Sequence, residues 1–167
     1  MKVLQLCNKV PYPPTDGGAI AMMNMAEMLT DNGHSVHILA MSTFKHHLNS
    51  RDIPAKLAAK IRFTLVPVNT KLNIFDLLIN LLFSKQPYNA SRFNSRRYRK
   101  KLREILQNEY YDIVQLEGLY LRPYVETIKE LHNGKIVFRA HNIESEIWIG
   151  RAESEQNPVK KSYLKLI

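Results

Sequence analysis

The sequence predicts an α/β fold, a Rossmann-like parallel sheet with helices on both faces. Short apolar runs alternate with longer helix-patterned segments along all 167 residues, which implies right-handed crossovers between parallel strands. The runs are nearly continuous rather than alternating, as strands covered on both faces require. Polar or glycine-rich segments follow several of the runs, where an open sheet of this kind receives its ligand.

The first run, Lys2 to Asn8, places Val3, Leu4, Leu6 and Cys7 in an opening strand. A loop of Pro11-Tyr12-Pro13-Pro14-Thr15-Asp16-Gly17-Gly18 follows, and Ala19 to Asn32 then reads as a methionine-rich helix stopped by Gly33. Ser35 to Met41 is the second strand and Ile61 to Val68 the third. Leu72 to Phe83 is the most apolar helix candidate, with Asn73, Asp76 and Asn80 as a narrow polar stripe. Arg92 to Gln107 predicts a helix with Tyr98, Leu102, Ile105 and Leu106 on one face. Asp112 to Leu116 is the fourth strand, and Leu119 to Leu131 a helix that carries Pro123 in its first turns. Ile136 to Phe138 is the fifth strand, and Ser154 to Ile167 is helical in pattern.

Composition narrows the class. A hydrophobic fraction of 45% and a charged fraction of 23% are ordinary for a globular domain and exclude a disordered tail. Cys7 is the single cysteine, so no intrachain disulfide or multi-cysteine zinc site is available, which points to a reducing, cytoplasmic setting. No stretch reaches the roughly 18 apolar residues of a membrane span. The net charge of +9 is local. Lys85, Arg92, Arg96, Arg97, Arg99, Lys100, Lys101 and Arg103 stand without an acid among them, leaving +1 for the rest of the chain. Such a block implies an anionic partner.

Two loops carry candidate chemistry. Asp16 suits an N-cap, and Gly17 and Gly18 let backbone N–H groups approach an anion at a helix start. The spacing is neither the dinucleotide fingerprint nor a P-loop, and a tight capped turn without ligand is the plain alternative. After the fifth strand, Arg139-Ala140-His141-Asn142-Ile143-Glu144 is dense in polar groups. There His141 can donate to a sugar hydroxyl or stabilise developing charge, or the segment is a turn from which Glu144 starts a helix. Glu117 ends the fourth strand as a substrate contact or a helix cap. His34 with His37, and His46 with His47, lack the arrangement of metal ligands, so no metal is expected. On a helix, Arg92, Arg96, Arg99 and Arg103 share one stripe beside the apolar Leu72–Phe83 segment, which suits an anionic membrane surface. No helix-turn-helix or RNA-recognition pattern accompanies the charge, so nucleic acid is not the expected partner.

Together these segments, with Asp31-Asn32-Gly33-His34-Ser35-Val36-His37-Ile38-Leu39 and Tyr111-Asp112-Ile113-Val114-Gln115-Leu116-Glu117, resemble the N-terminal domain of the GT4 family of retaining glycosyltransferases, which have the two-domain GT-B fold. The resemblance runs over essentially the whole chain. It implies that residues 1–167 form the acceptor-side half of an enzyme of polysaccharide biosynthesis, cut within its last helix. The half that grips the nucleotide-sugar donor would be absent and the chain alone inactive. It further implies no cofactor beyond the nucleotide-sugar substrate, Gly17 and Gly18 near the donor diphosphate or acceptor, and His141 beside the transferred sugar. Asp16, Glu117, Arg139, Asn142 and Glu144 would contact substrate, and the basic segment would dock a lipid-linked acceptor on the inner face of the membrane. A non-hydrolysing nucleotide-sugar epimerase and a non-catalytic basic module binding membrane or nucleic acid are the competing readings.

Overall fold

The computed structural model describes residues 1–71, 73, 88–141, 144–158, 161, 162 and 164. Five parallel strands, β1 (Lys2–Cys7), β2 (Ser35–Ser42), β3 (Arg62–Pro67), β4 (Ile113–Glu117) and β5 (Lys135–Arg139), form one sheet in the order β3-β2-β1-β4-β5. This Rossmann-like order places the reversal of winding between β1 and β4. The register aligns the carboxyl ends: Cys7 lies beside Ala40 and Glu117, and Glu117 beside Arg139.

Alternation along the strands builds two cores. Leu4, Leu6, Leu39, Met41, Val114 and Leu116 face one way, against α4 (Arg96–Asn108), a 3₁₀ segment (Leu119–Tyr124) and α5 (Val125–Leu131). Cys7, Val36, Ile38 and Ala40 face the other way, with Met22, Met23 and Ala26 of α1 (Gly17–Asp31). Tyr98 of α4 is fully buried and donates from its hydroxyl to Leu39 O at 2.7 Å, fastening that helix over the sheet. Between β2 and β3 runs a short helix the sequence did not suggest, α2 (Ala55–Lys60).

Several boundaries move for identifiable reasons. The first helix opens at Gly17 rather than Ala19, because Asp16 accepts from Ala19 N at 2.9 Å and caps it there. The basic helix starts at Arg96, not Arg92. Ser95 accepts from Tyr98 N, while residues 92–95 follow the separate turn α3 (Tyr88–Ser91). Arg92 therefore leaves the predicted stripe. The predicted Leu119–Leu131 helix divides after Tyr124, since Pro123 has no N–H and disfavours α geometry in the residue before it. At the far end α6 (Glu144–Ser154) ends where the sequence had a helix begin, and helical geometry resumes at Pro158 and at residues 161, 162 and 164, with Lys161 N donating to Asn157 O at 2.8 Å. The Leu72–Phe83 segment falls almost wholly outside the described residues. Among the described residues, no helix is long and apolar enough to cross a membrane.

Candidate functional site

The carboxyl ends of β1, β4 and β5 open on a cleft of about 430 Å³ at the winding reversal, where parallel open sheets hold their ligands. Its first wall is the turn from β1 into α1. Lys9 extends along this turn, its Nζ 2.5 Å from Asp16 Oδ1, while His46 Nε2 approaches Oδ2 at 3.8 Å. Partial burial works against the Asp16 charge. The Lys9 and Ala19 hydrogen bonds, the Lys9 charge and, when it is protonated, His46 outweigh it, holding this carboxyl below the usual aspartate range.

Gly18 lines the cleft, and a Cβ there would lie 3.2 Å from Lys9 Nζ, so its missing side chain leaves the ammonium its place. Gly17 is different. It is exposed in the first turn of α1, and a Cβ on it would meet nothing within 4 Å.

The floor is Glu117, whose side chain is fully buried at the end of β4. Its Oε1 accepts from Gln5 Nε2 at 2.9 Å and Gln115 Nε2 at 2.5 Å. Arg139 Nη1 lies 3.3 Å from Oε2 and also donates to Ala21 O of α1 at 3.0 Å. His141 Nε2 stands 2.7 Å from the same Oε2, without the alignment of a linear hydrogen bond. A buried carboxylate needs such a set, because desolvation is offset only by several donors or opposite charges. Gly118 turns the chain away at φ +98°, a conformation L side chains rarely adopt, and a Cβ there would sit 4.0 Å from His141 Cδ2. Leu119, Tyr120 and Phe138 add an apolar wall.

Of the predicted site residues, Gly18, Glu117 and His141 line the cleft, while Asp16 and Arg139 reach it only through Lys9 and Glu117, and Gly17 lies outside it. Glu144 opens α6, and Asn142 lies outside the described residues. The sequence reading missed Lys9 as well as the inner pair Gln5 and Gln115. Their signal was present: a glutamine at the centre of an apolar strand demands a buried partner. Among the described residues, no three His, Cys, Asp or Glu side chains gather as metal ligands.

The basic segment resolves into cations with different work. Arg99 donates to Pro123 O at 2.9 Å, Thr127 Oγ1 at 3.2 Å and Asn94 Oδ1 at 2.6 Å, stitching α4 to the segment after β4. Arg103 forms a two-toothed pair with Glu130 of α5, at 3.2 and 2.6 Å. Arg92, before the helix, reaches Thr70 O at 3.4 Å and lies over the Phe93 ring. Arg96, Arg97 and Lys100 remain exposed on the first turns of α4.

No family model and no solved structure matches this chain. A protein of Klebsiella pneumoniae named "Uncharacterized 44.6 kDa protein in cps region" is 23% identical to it over 164 residues, 97% of this chain and 39% of the relative. The chain therefore spans about two-fifths of the length of the curated relative it matches.

Proposed function

We propose that this chain is the acceptor-side half of a retaining glycosyltransferase of the GT4 type with GT-B architecture, moving a sugar from a nucleotide-sugar donor to a glycan or lipid-linked acceptor. One observation carries the reading. Gly18 and the Lys9 that Asp16 holds, together with Glu117 and His141, far apart in sequence, line a single cleft at the reversal between β1 and β4. The relative's place in a cps region fits polysaccharide biosynthesis. In this reading a second half, supplied by further polypeptide, brings the donor over the cleft. Transfer then depends on positioning and on groups already aimed at the charge of an oxocarbenium-like state and its leaving diphosphate. His141 meets the transferring sugar, and the apolar wall of Leu119, Tyr120 and Phe138 suits the less polar face of a sugar ring. A longer protein containing this sequence should transfer sugar with the anomeric configuration retained, as NMR of the product would show. Residues 1–167 alone should transfer none. Inversion would overturn the retaining assignment, and transfer by the short chain would overturn the two-domain reading.

The exposure of Arg96, Arg97 and Lys100 supports docking of a lipid-linked acceptor at an anionic membrane surface, each cation contributing about 1 kcal/mol. Sedimentation with vesicles should show binding to anionic but not neutral lipid, weakening with salt. The triple reversal Arg96→Glu, Arg97→Glu, Lys100→Glu should abolish it. Arg103→Glu should instead disturb the pair with Glu130. Binding that ignores salt or survives the triple reversal counts against a lipid-facing helix.

A further inference from the structure

The contacts around Glu117 assign its role more closely than a place in the cleft. Its Oε1 is already used by two glutamine amides, and its Oε2 faces the Arg139 guanidinium and the His141 ring. At 2.7 Å but without hydrogen-bond alignment, the contact is electrostatic: a protonated Nε2 carries positive charge beside the carboxylate oxygen and is favoured over a bare, electron-rich one. Nε2 is also shut away from solvent. The ring edge beyond it lies near Gly118, where a Cβ would only touch Cδ2 at 4.0 Å.

We infer that Glu117 is a positioning residue which holds His141 with its proton on Nε2, so that Nδ1 meets the ligand as a hydrogen-bond acceptor. The inference rests on the glycosyl-transfer reading for the ligand's identity, a sugar hydroxyl, but the proton's location does not. It also reverses the sequence expectation that His141 donates. A neutral ring fixed this way accepts from a hydroxyl of the sugar, and a ring that gains a second proton becomes a cation facing the Glu117 carboxylate. Arg139 completes the arrangement, since its bond to Ala21 O ties the same carboxylate to α1 and hence to the Gly18 wall.

The test is NMR of the chain itself, with ring nitrogens labelled and His141 identified by its loss in His141→Ala. At a pH where the ring is neutral, the wild-type spectrum should show a proton on Nε2 and a bare Nδ1. In Glu117→Gln, which keeps the shape and loses the charge, the preference for that tautomer should fall several-fold. A proton on Nδ1 in the wild type overturns the inference even if Glu117→Gln does not fold. An unchanged tautomer ratio in a folded Glu117→Gln overturns it as well. Because no donor or acceptor is needed, this outcome stands apart from whether the longer protein transfers sugar. Where it does, Glu117→Gln should lower kcat on the order of 10- to 100-fold with KM little changed, the scale for losing a partner that orients a histidine, and Glu117→Asp should recover part of it.

Discussion

Replacing His141 with alanine in a transfer-competent longer protein is expected to lower turnover by roughly 10²–10³, the scale for one preorganised polar group at a transition state. The structure gives this expectation its shape. His141 lines the cleft, and its ring stands against the Glu117 carboxylate before any ligand arrives. Its contribution therefore needs no reorganisation at the moment of reaction. Stability should change by only about 1 kcal/mol, because Glu117 keeps Gln5, Gln115 and Arg139 when the imidazole is gone. Parallel kcat and thermal-melting measurements separate the two effects. A variant with wild-type kinetics would reduce His141 to a turn residue.

Most of the sheet was legible because buried parallel strands have an apolar pattern that little else produces, and Val3-Leu4 or Val36 to Met41 needed no tertiary information. The cap at Asp16 was legible for a similar reason, since it is satisfied within three residues. Readings based on helical spacing alone fared worse. The arginines at 92, 96, 99 and 103 fit a stripe, yet the local bond from Tyr98 N to the Ser95 side chain sets the helix start and strands Arg92 outside it. Which of those cations stay exposed was not legible at all, because Thr127 and Glu130 reach Arg99 and Arg103 only once α4 and α5 are packed. The same holds at the cleft. Glu117 could be read as a residue at a strand end, but its partners come from β1, β4 and β5 together. Only the strand order shows that its side chain faces inward among donors.

Acidification from pH 7 to below pH 4 should remove about 3 kcal/mol of folding stability through one histidine at the opposite end of the sheet. His37 on β2 is 3% exposed. Its Nδ1 lies 2.6 Å from the Tyr111 hydroxyl and its Nε2 lies 2.8 Å from Thr64 Oγ1. Tyr111 donates at 3.0 Å to Glu109, which also accepts from Lys2 at 3.0 Å and Arg62 at 2.7 Å. With that hydroxyl proton committed to Glu109, the chain closes if His37 donates from Nδ1 to Tyr111 and accepts from Thr64 at Nε2, a neutral ring satisfied on both sides. Burial first, then the nearby Arg62 charge, push its pKa from 6.5 down to about 4, with Glu109 opposing. The unfolded chain therefore takes up this proton before the folded one does. The stabilisation is complete above pH 6.5 and is lost as pH falls towards 4, at 1.36 kcal/mol for each unit between the two values. His46, also held below 6.5 chiefly by burial, adds to the loss from the same starting point, whereas Glu109 and Asp16, held below their ordinary values of 4.5 and 3.8, give up their contribution only towards the acid end. Denaturant unfolding at half-unit steps from pH 7 to 4.5 should show the midpoint falling throughout, and His37→Gln should flatten the slope. A wild-type midpoint that stays level across that range would mean His37 accepts its proton without leaving the fold.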